Sequence, residues 1–113
     1  KEFSKNHRVI FNALSKVNEE NVDFLAVFGS YAKGTPKKDS DVDVLCVSSN
    51  KKEDEREIKS LKYETNLEFA PVVISKKEFK KIKNENEVFW SDLIKFGIIF
   101  KGYELFYSEA YLK

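Results

Sequence analysis

The chain has 113 residues, 42% of them apolar and 14% aromatic, which suffices for one domain with a buried core and is too apolar for disorder despite 35% charged residues. Twenty Lys and Arg against nineteen Asp and Glu leave a formal charge of +1, so no global field draws the chain to nucleic acid or membrane, and a nucleic-acid role needs a local patch or a partner. No apolar run approaches the ~18 residues of a membrane span, and no charged leader precedes an apolar core. A single domain over residues 1–113 in a reducing cytoplasm is expected, with the lone Cys46 a buried, inert thiol. The absence of Met places the chain after a removed start residue or within a longer polypeptide.

Phe3, His7, Ile10, Phe11, Leu14 and Val17 recur at spacings of three and four over residues 2–18, one apolar stripe of a helix laid on a sheet. His7, the only histidine, has no second ligand or base near it in the chain and reads as a packed structural side chain. A polar break at 18–21 precedes a β-branched and aromatic strand over 22–28.

Gly29 follows, able to take backbone angles closed to other residues and to turn the chain out of that strand. Ser30 then opens a short helical turn that Gly34 ends, and its N–H groups and hydroxyl suit a phosphate. Residues 35–40 form a loop, where Lys37 and Lys38 read as solvated charges. The second strand spans 41–48. Asp41 and Asp43 fall at i and i+2 and project from one face, separated by about 6.7 Å of rise. Two carboxylates so close repel unless a cation offsets them, and Mg²⁺ is commonly held by one or two carboxylates plus substrate phosphates. On the opposite face Val42, Val44 and Cys46 suit packing under a helix, whereas Leu45 and Val47 continue the acidic face and need apolar cover.

Residues 49–63 are highly charged, with Ile58 and Leu61 at helical spacing, and predict an exposed helix or a partly ordered connection, with Ser49 or Asn50 as cap. Residues 65–75 predict a third strand, with Glu68 on the face of Ala70, Val72 and Ile74. Pro71 cannot donate to a ladder and places this strand at an edge or a bulge. Ser75 and Glu78 have capping-box spacing before a helix that turns Phe79 and Ile82 inward. A further helix over 88–96 carries Trp90, Leu93, Ile94 and Phe96 and stops at Gly97. Residues 98–101 and 103–107, split by Gly102, predict a strand and turn.

Gly29-Ser30, the ten residues from Tyr31 to Ser40, and Asp41-Val42-Asp43 resemble, without insertion, the signature of the DNA polymerase β-like nucleotidyltransferase superfamily. Residues 29–34 and 40–43 are similar to the Gly-Ser-x-Ala-x-Gly and Ser-Asp-x-Asp forms of its minimal nucleotidyltransferases. The resemblance implies an α/β (α+β) domain of the polymerase β-like kind, a small mixed sheet with helices mainly on one face. It implies Mg²⁺-dependent transfer of a nucleoside monophosphate, first AMP from ATP, to a hydroxyl acceptor. Asp41 and Asp43 would hold one or two Mg²⁺ ions, and Gly29, Ser30, Lys33 and Ser40 the nucleotide. Glu68 would be the third carboxylate, as base or second-metal ligand. Two alternatives come with it: an antitoxin-type module paired with a HEPN-type helical partner, and a nucleotide-binding sensor without turnover. Leu45, Val47, Phe100, Tyr103, Phe106, Tyr107 and Tyr111 predict exposed apolar surface, and with it self-association or a helical partner.

Overall fold

A computed structural model describes residues 2–18, 20–37 and 39–111. In chain order its elements are α1 (Glu2–Leu14), β1 (Val22–Phe28), α2 (Gly29–Lys33), β2 (Val42–Ser48), α3 (Lys51–Ser60), α4 (Lys62–Thr65), β3 (Phe69–Ile74), α5 (Lys76–Glu85), α6 (Glu87–Phe96), β4 (Ile98–Lys101) and α7 (Tyr103–Tyr111). The strands form one sheet in the order β3-β2-β1-β4. β1 runs antiparallel to β2 and to β4, while β2 runs parallel to β3, so the sheet is mixed as expected. A parallel neighbour requires a crossover, and α3 with α4 supplies it. Pro71 sits in β3, an edge strand, where the missing N–H is tolerated.

Alternation along β2 sends Val42, Val44 and Cys46 into a core with Ile10 and Leu14 of α1 and Ile58 of α3. Leu45 and Val47 point the other way, into a second core with Phe79 of α5, Trp90 and Leu93 of α6 and Phe106 of α7. The helices therefore cover both faces of the sheet rather than mainly one. The reason is the apolar content of the second face: Phe24, Ala26, Leu45 and Val47 are all 0% exposed, and residues 76–111 are the part of the chain that covers them. Leu45, Val47 and Phe106 are thus internal and contribute nothing to a partner surface.

Local chemistry accounts for several boundaries. Ser75 and Glu78 form the capping box, with Ser75 N–H donating to Glu78 Oε1 at 2.7 Å and Glu78 N–H to Ser75 Oγ at 3.1 Å. At α3 the N-cap residue is Asn50, one of the two expected, but its side chain makes no cap bond; Ser48 Oγ accepts the Asn50 N–H at 2.9 Å and donates to buried Asp54. β3 begins at Phe69, later than expected, because α4 runs to Thr65 and Asn66 leaves it in the left-handed region at φ 60. Residues 103–107 are helical, the start of α7, rather than strand and turn. Gly102 at φ 85 makes the corner, its Cα so close to the Asp23 carbonyl that a Cβ would collide. Phe11, Ile94 and Phe96 lie more open than their stripes imply, at 58%, 36% and 43% exposure. The Phe3 side chain and Lys38 lie outside the described residues. Among the described residues no helix is long and apolar enough to cross a membrane.

Candidate active site

The end of the sheet where β1 finishes and β2 begins is built around Gly29. β1 delivers Phe28 opposite Asp43 in the antiparallel register, and Gly29 turns the chain at φ 73 into α2. Gly34 closes that helix in the left-handed region, its N–H directed to the carbonyls of Ser30 and Tyr31. Tyr31, 2% exposed, plugs α2 into the first core, and His7 Nε2 donates to the Tyr31 carbonyl at 3.1 Å. His7 thus ties α1 to this turn.

Asp43 is half-buried directly against this turn. A Cβ added at Gly29 would lie 3.0 Å from Asp43 Cγ and nearer still to Oδ2, so only a bare Cα fits beside the carboxylate. Burial first, and the neighbouring charge of Asp41 second, push the Asp43 carboxyl above its ordinary value. Asp41 stands exposed one residue before β2. The structure thus brings Gly29, Ser30, Asp41 and Asp43 together at one end of one sheet.

The other predicted residues are placed as follows. Glu68 precedes β3, and its carbonyl accepts the Val42 N–H at 2.8 Å, which sets it alongside Asp41 on the next strand. Its side chain is exposed. Among the described residues no three His, Cys, Asp or Glu side chains gather closely enough to hold a metal ion, so Glu68 is a neighbour of the pair and not part of a formed triad. Ser40 closes the preceding loop on itself: its Oγ accepts the Lys37 N–H at 2.7 Å and its N–H donates to the Lys37 carbonyl at 3.1 Å. Lys33 reaches across to α6, pairing with Asp92 at 3.0 Å, with its Nζ 5.7 Å from the centre of the Phe96 ring. Phe89, also on α6, packs edge-on to Phe28 with ring centres 4.9 Å apart. Asp92 and Phe89 were not legible as site neighbours, since nothing in the sequence of an amphipathic helix says which turn of it meets a strand end some 60 residues earlier.

The family model described as a nucleotidyltransferase domain matches residues 7–101. The chain belongs to the nucleotidyltransferase-domain family. Solved structures with the same fold include a toxin-antitoxin with AMP-PNP, 13% identical with a TM-score of 0.58, the match covering 95% of this chain and 86% of that one. A double Asp→Glu mutant of the toxin-antitoxin MntA-HpeT is 11% identical, TM-score 0.58, covering 95% and 85%. A Tyr→Ala mutant of the same pair is 15% identical, TM-score 0.53, covering 94% and 84%. At these identities the likeness is one of fold. No curated protein matches this chain.

The carboxylates of this nucleotidyltransferase domain fit a hard divalent cation. Asp41 and Asp43 are oxygen donors two residues apart at the mouth of β2, and a cation there would offset the burial, and after it the Asp41 charge, that raise the Asp43 carboxyl. Two carboxylates plus substrate phosphates is a common Mg²⁺ set, so the absence of a formed third ligand does not disqualify it.

Proposed function

We propose that the domain transfers a nucleoside monophosphate, AMP from ATP, to a hydroxyl acceptor. The observation that carries this reading is the packing of Gly29 Cα against the Asp43 carboxylate, which sets the glycine turn at the start of α2 beside one carboxylate of the Asp41–Asp43 pair. Gly29 and Ser30 would hold the β- and γ-phosphates through backbone N–H groups and the Ser30 hydroxyl. Mg²⁺ held by Asp41 and Asp43 would offset the charge that develops on the phosphates. The acceptor oxygen would bond to the α-phosphorus as the bond to the β-phosphate oxygen breaks, and pyrophosphate would leave with that electron pair. Glu68, exposed beside Asp41, is the carboxylate offered for the acceptor's proton. Ser40 acts by fixing the loop that aims Asp41, and Lys33 would reach phosphate only by leaving Asp92.

Calorimetry of ATP binding with Mg²⁺ and with EDTA tests this. Binding confined to the Mg²⁺ condition is expected, because the triphosphate otherwise faces uncompensated carboxylates. Equal affinity in both would place the phosphates away from Asp41 and Asp43.

A second reading, an antitoxin-type module with a helical partner, is favoured by α7. Tyr103, Tyr107 and Tyr111 are 62%, 43% and 58% exposed, with ring centres 6.2 and 5.1 Å apart along one face of the helix. Apolar ladders of this kind mark interaction surfaces, and the structural neighbours named above are toxin-antitoxin proteins. Sedimentation of the chain, and of a variant with all three tyrosines changed to Ser, tests it: association lost in the variant supports the reading, and a clean monomer with no captured helical partner removes it. The two readings are compatible, since a partner's hydroxyl can be an acceptor.

A further inference from the structure

The charged crossover between β2 and β3 carries a basic surface that the proposed chemistry does not use. Lys52, Arg56, Lys59 and Tyr63 fall at i, i+4, i+7 and i+11 along α3 and its continuation into α4, and with Lys62 they line one groove of about 360 Å³. The stripe spans about 16 Å at 1.5 Å per residue. Glu55 is the acidic residue lining it, paired with Lys59 at 3.4 Å. Among the described residues neither Lys52 nor Arg56 is paired with a carboxylate. The other acids of α3 do not line the groove: exposed Glu53 accepts from the Asn50 side-chain amide at 3.5 Å, Asp54 is buried on Ser48, and Glu57 accepts the Asn18 N–H. On a chain of net charge +1, four cations and one anion around one groove are a local concentration of positive charge.

Tyr63 is 81% exposed at the end of this stripe, and Lys62 Nζ lies 5.3 Å from its ring centre. One face of the ring holds a cation while the exposure leaves ring surface for a second planar group. A positive groove beside a solvent-facing aromatic is the combination that single-stranded nucleic acid uses, phosphates along the charges and a base on the ring. An acidic peptide would use the charges but has no need of the ring.

We propose that the groove on α3 and α4 binds single-stranded nucleic acid, its phosphates along Lys52, Arg56, Lys59 and Lys62 and one base stacked on Tyr63. Because α3 packs through Ile58 into the core opposite Leu45 and Val47, this surface lies across the sheet from the acidic face. It therefore needs neither ATP nor turnover and stands or falls separately from the transfer reaction.

Fluorescence anisotropy of a labelled oligouridine about ten nucleotides long, in EDTA and without ATP, tests the proposal. Log affinity against log salt should fall with a slope of about −3, the value for roughly four phosphates neutralised on a single strand. The triple variant Arg56→Glu, Lys59→Glu, Lys62→Glu should lose at least tenfold in affinity. A charge-matched triple on α5, Lys77→Glu, Lys80→Glu, Lys81→Glu, should lose less than about twofold. Tyr63→Ala should weaken binding about five- to a hundredfold, the range for loss of one base–aromatic stack, with the salt slope unchanged. Thermal melts confirm that each variant is folded. Equal losses in the two triples, an unchanged affinity for Tyr63→Ala, or competition by polyglutamate as strong as by unlabelled oligouridine would each overturn it.

Discussion

Gly29 Cα rests against the Asp43 carboxylate so closely that a methyl group on Gly29 would collide with it. The glycine is constrained twice, once by its φ of 73 and once by this contact. Gly29→Ala should destabilise the domain by about 2–3 kcal/mol, of which ~1–2 kcal/mol is the left-handed backbone and the rest the collision. Only the second part depends on Asp43. A double-mutant cycle with Asp43→Ala, read from urea melts, should give a coupling of about 1 kcal/mol or more, and additivity within about 0.5 kcal/mol would deny the contact.

Burial and Asp41 raise the Asp43 carboxyl, so the folded state prefers it protonated. As pH rises from about the ordinary value of 3.8 through the higher folded value, wild type loses stability that Asp43→Asn keeps. At pH 7 the variant should melt no lower than wild type and be more stable by up to about 1 kcal/mol, a modest figure because Asp43 is only half-buried. Below both values the difference should vanish. With Mg²⁺-ATP the order should reverse: at a hundredfold excess over Kd the wild type should gain about 2.7 kcal/mol and the variant much less. A variant less stable at neutral pH, with an intact ligand shift, would make Asp43 a structural residue.

Glu68 is exposed, so Glu68→Gln should change stability by less than about 0.5 kcal/mol. If it takes the acceptor's proton, pyrophosphate release with a competent acceptor should fall about 10²–10⁴-fold while Mg²⁺-ATP affinity holds. Unchanged turnover would remove it from the site.

Cys46 is 0% exposed, and burial, followed by the charges of Asp54, Glu57 and Asp23, pushes its thiol up to about 12. At pH 8 iodoacetamide should leave the native protein unlabelled and label it fully in urea, as mass spectrometry would read. Rapid native labelling would mean that the first core opens locally.

The strands β1, β2 and β4, the Gly29 turn, the capping box and the Asp41–Asp43 spacing were legible in the sequence because each rests on short-range chemistry: alternation, a positive φ, a hydroxyl three residues from a carboxylate. Pro71 likewise announced an edge strand through its missing N–H. What residues 76–111 do was not legible, because a helix stripe says that a face is buried and not where. Only the tertiary structure lays Phe79, Trp90 and Phe106 over Leu45 and Val47, turning an expected open face into a second core. It also decides that residues 103–107 are helical, since the corner at Gly102 is made against Asp23, a residue remote in the chain. The same holds for the site. Asp41 and Asp43 are together because a single residue separates them at the mouth of β2, whereas the positions of Glu68 beside them and of Lys33 on Asp92 follow from a parallel register and a helix packing that no local pattern encodes.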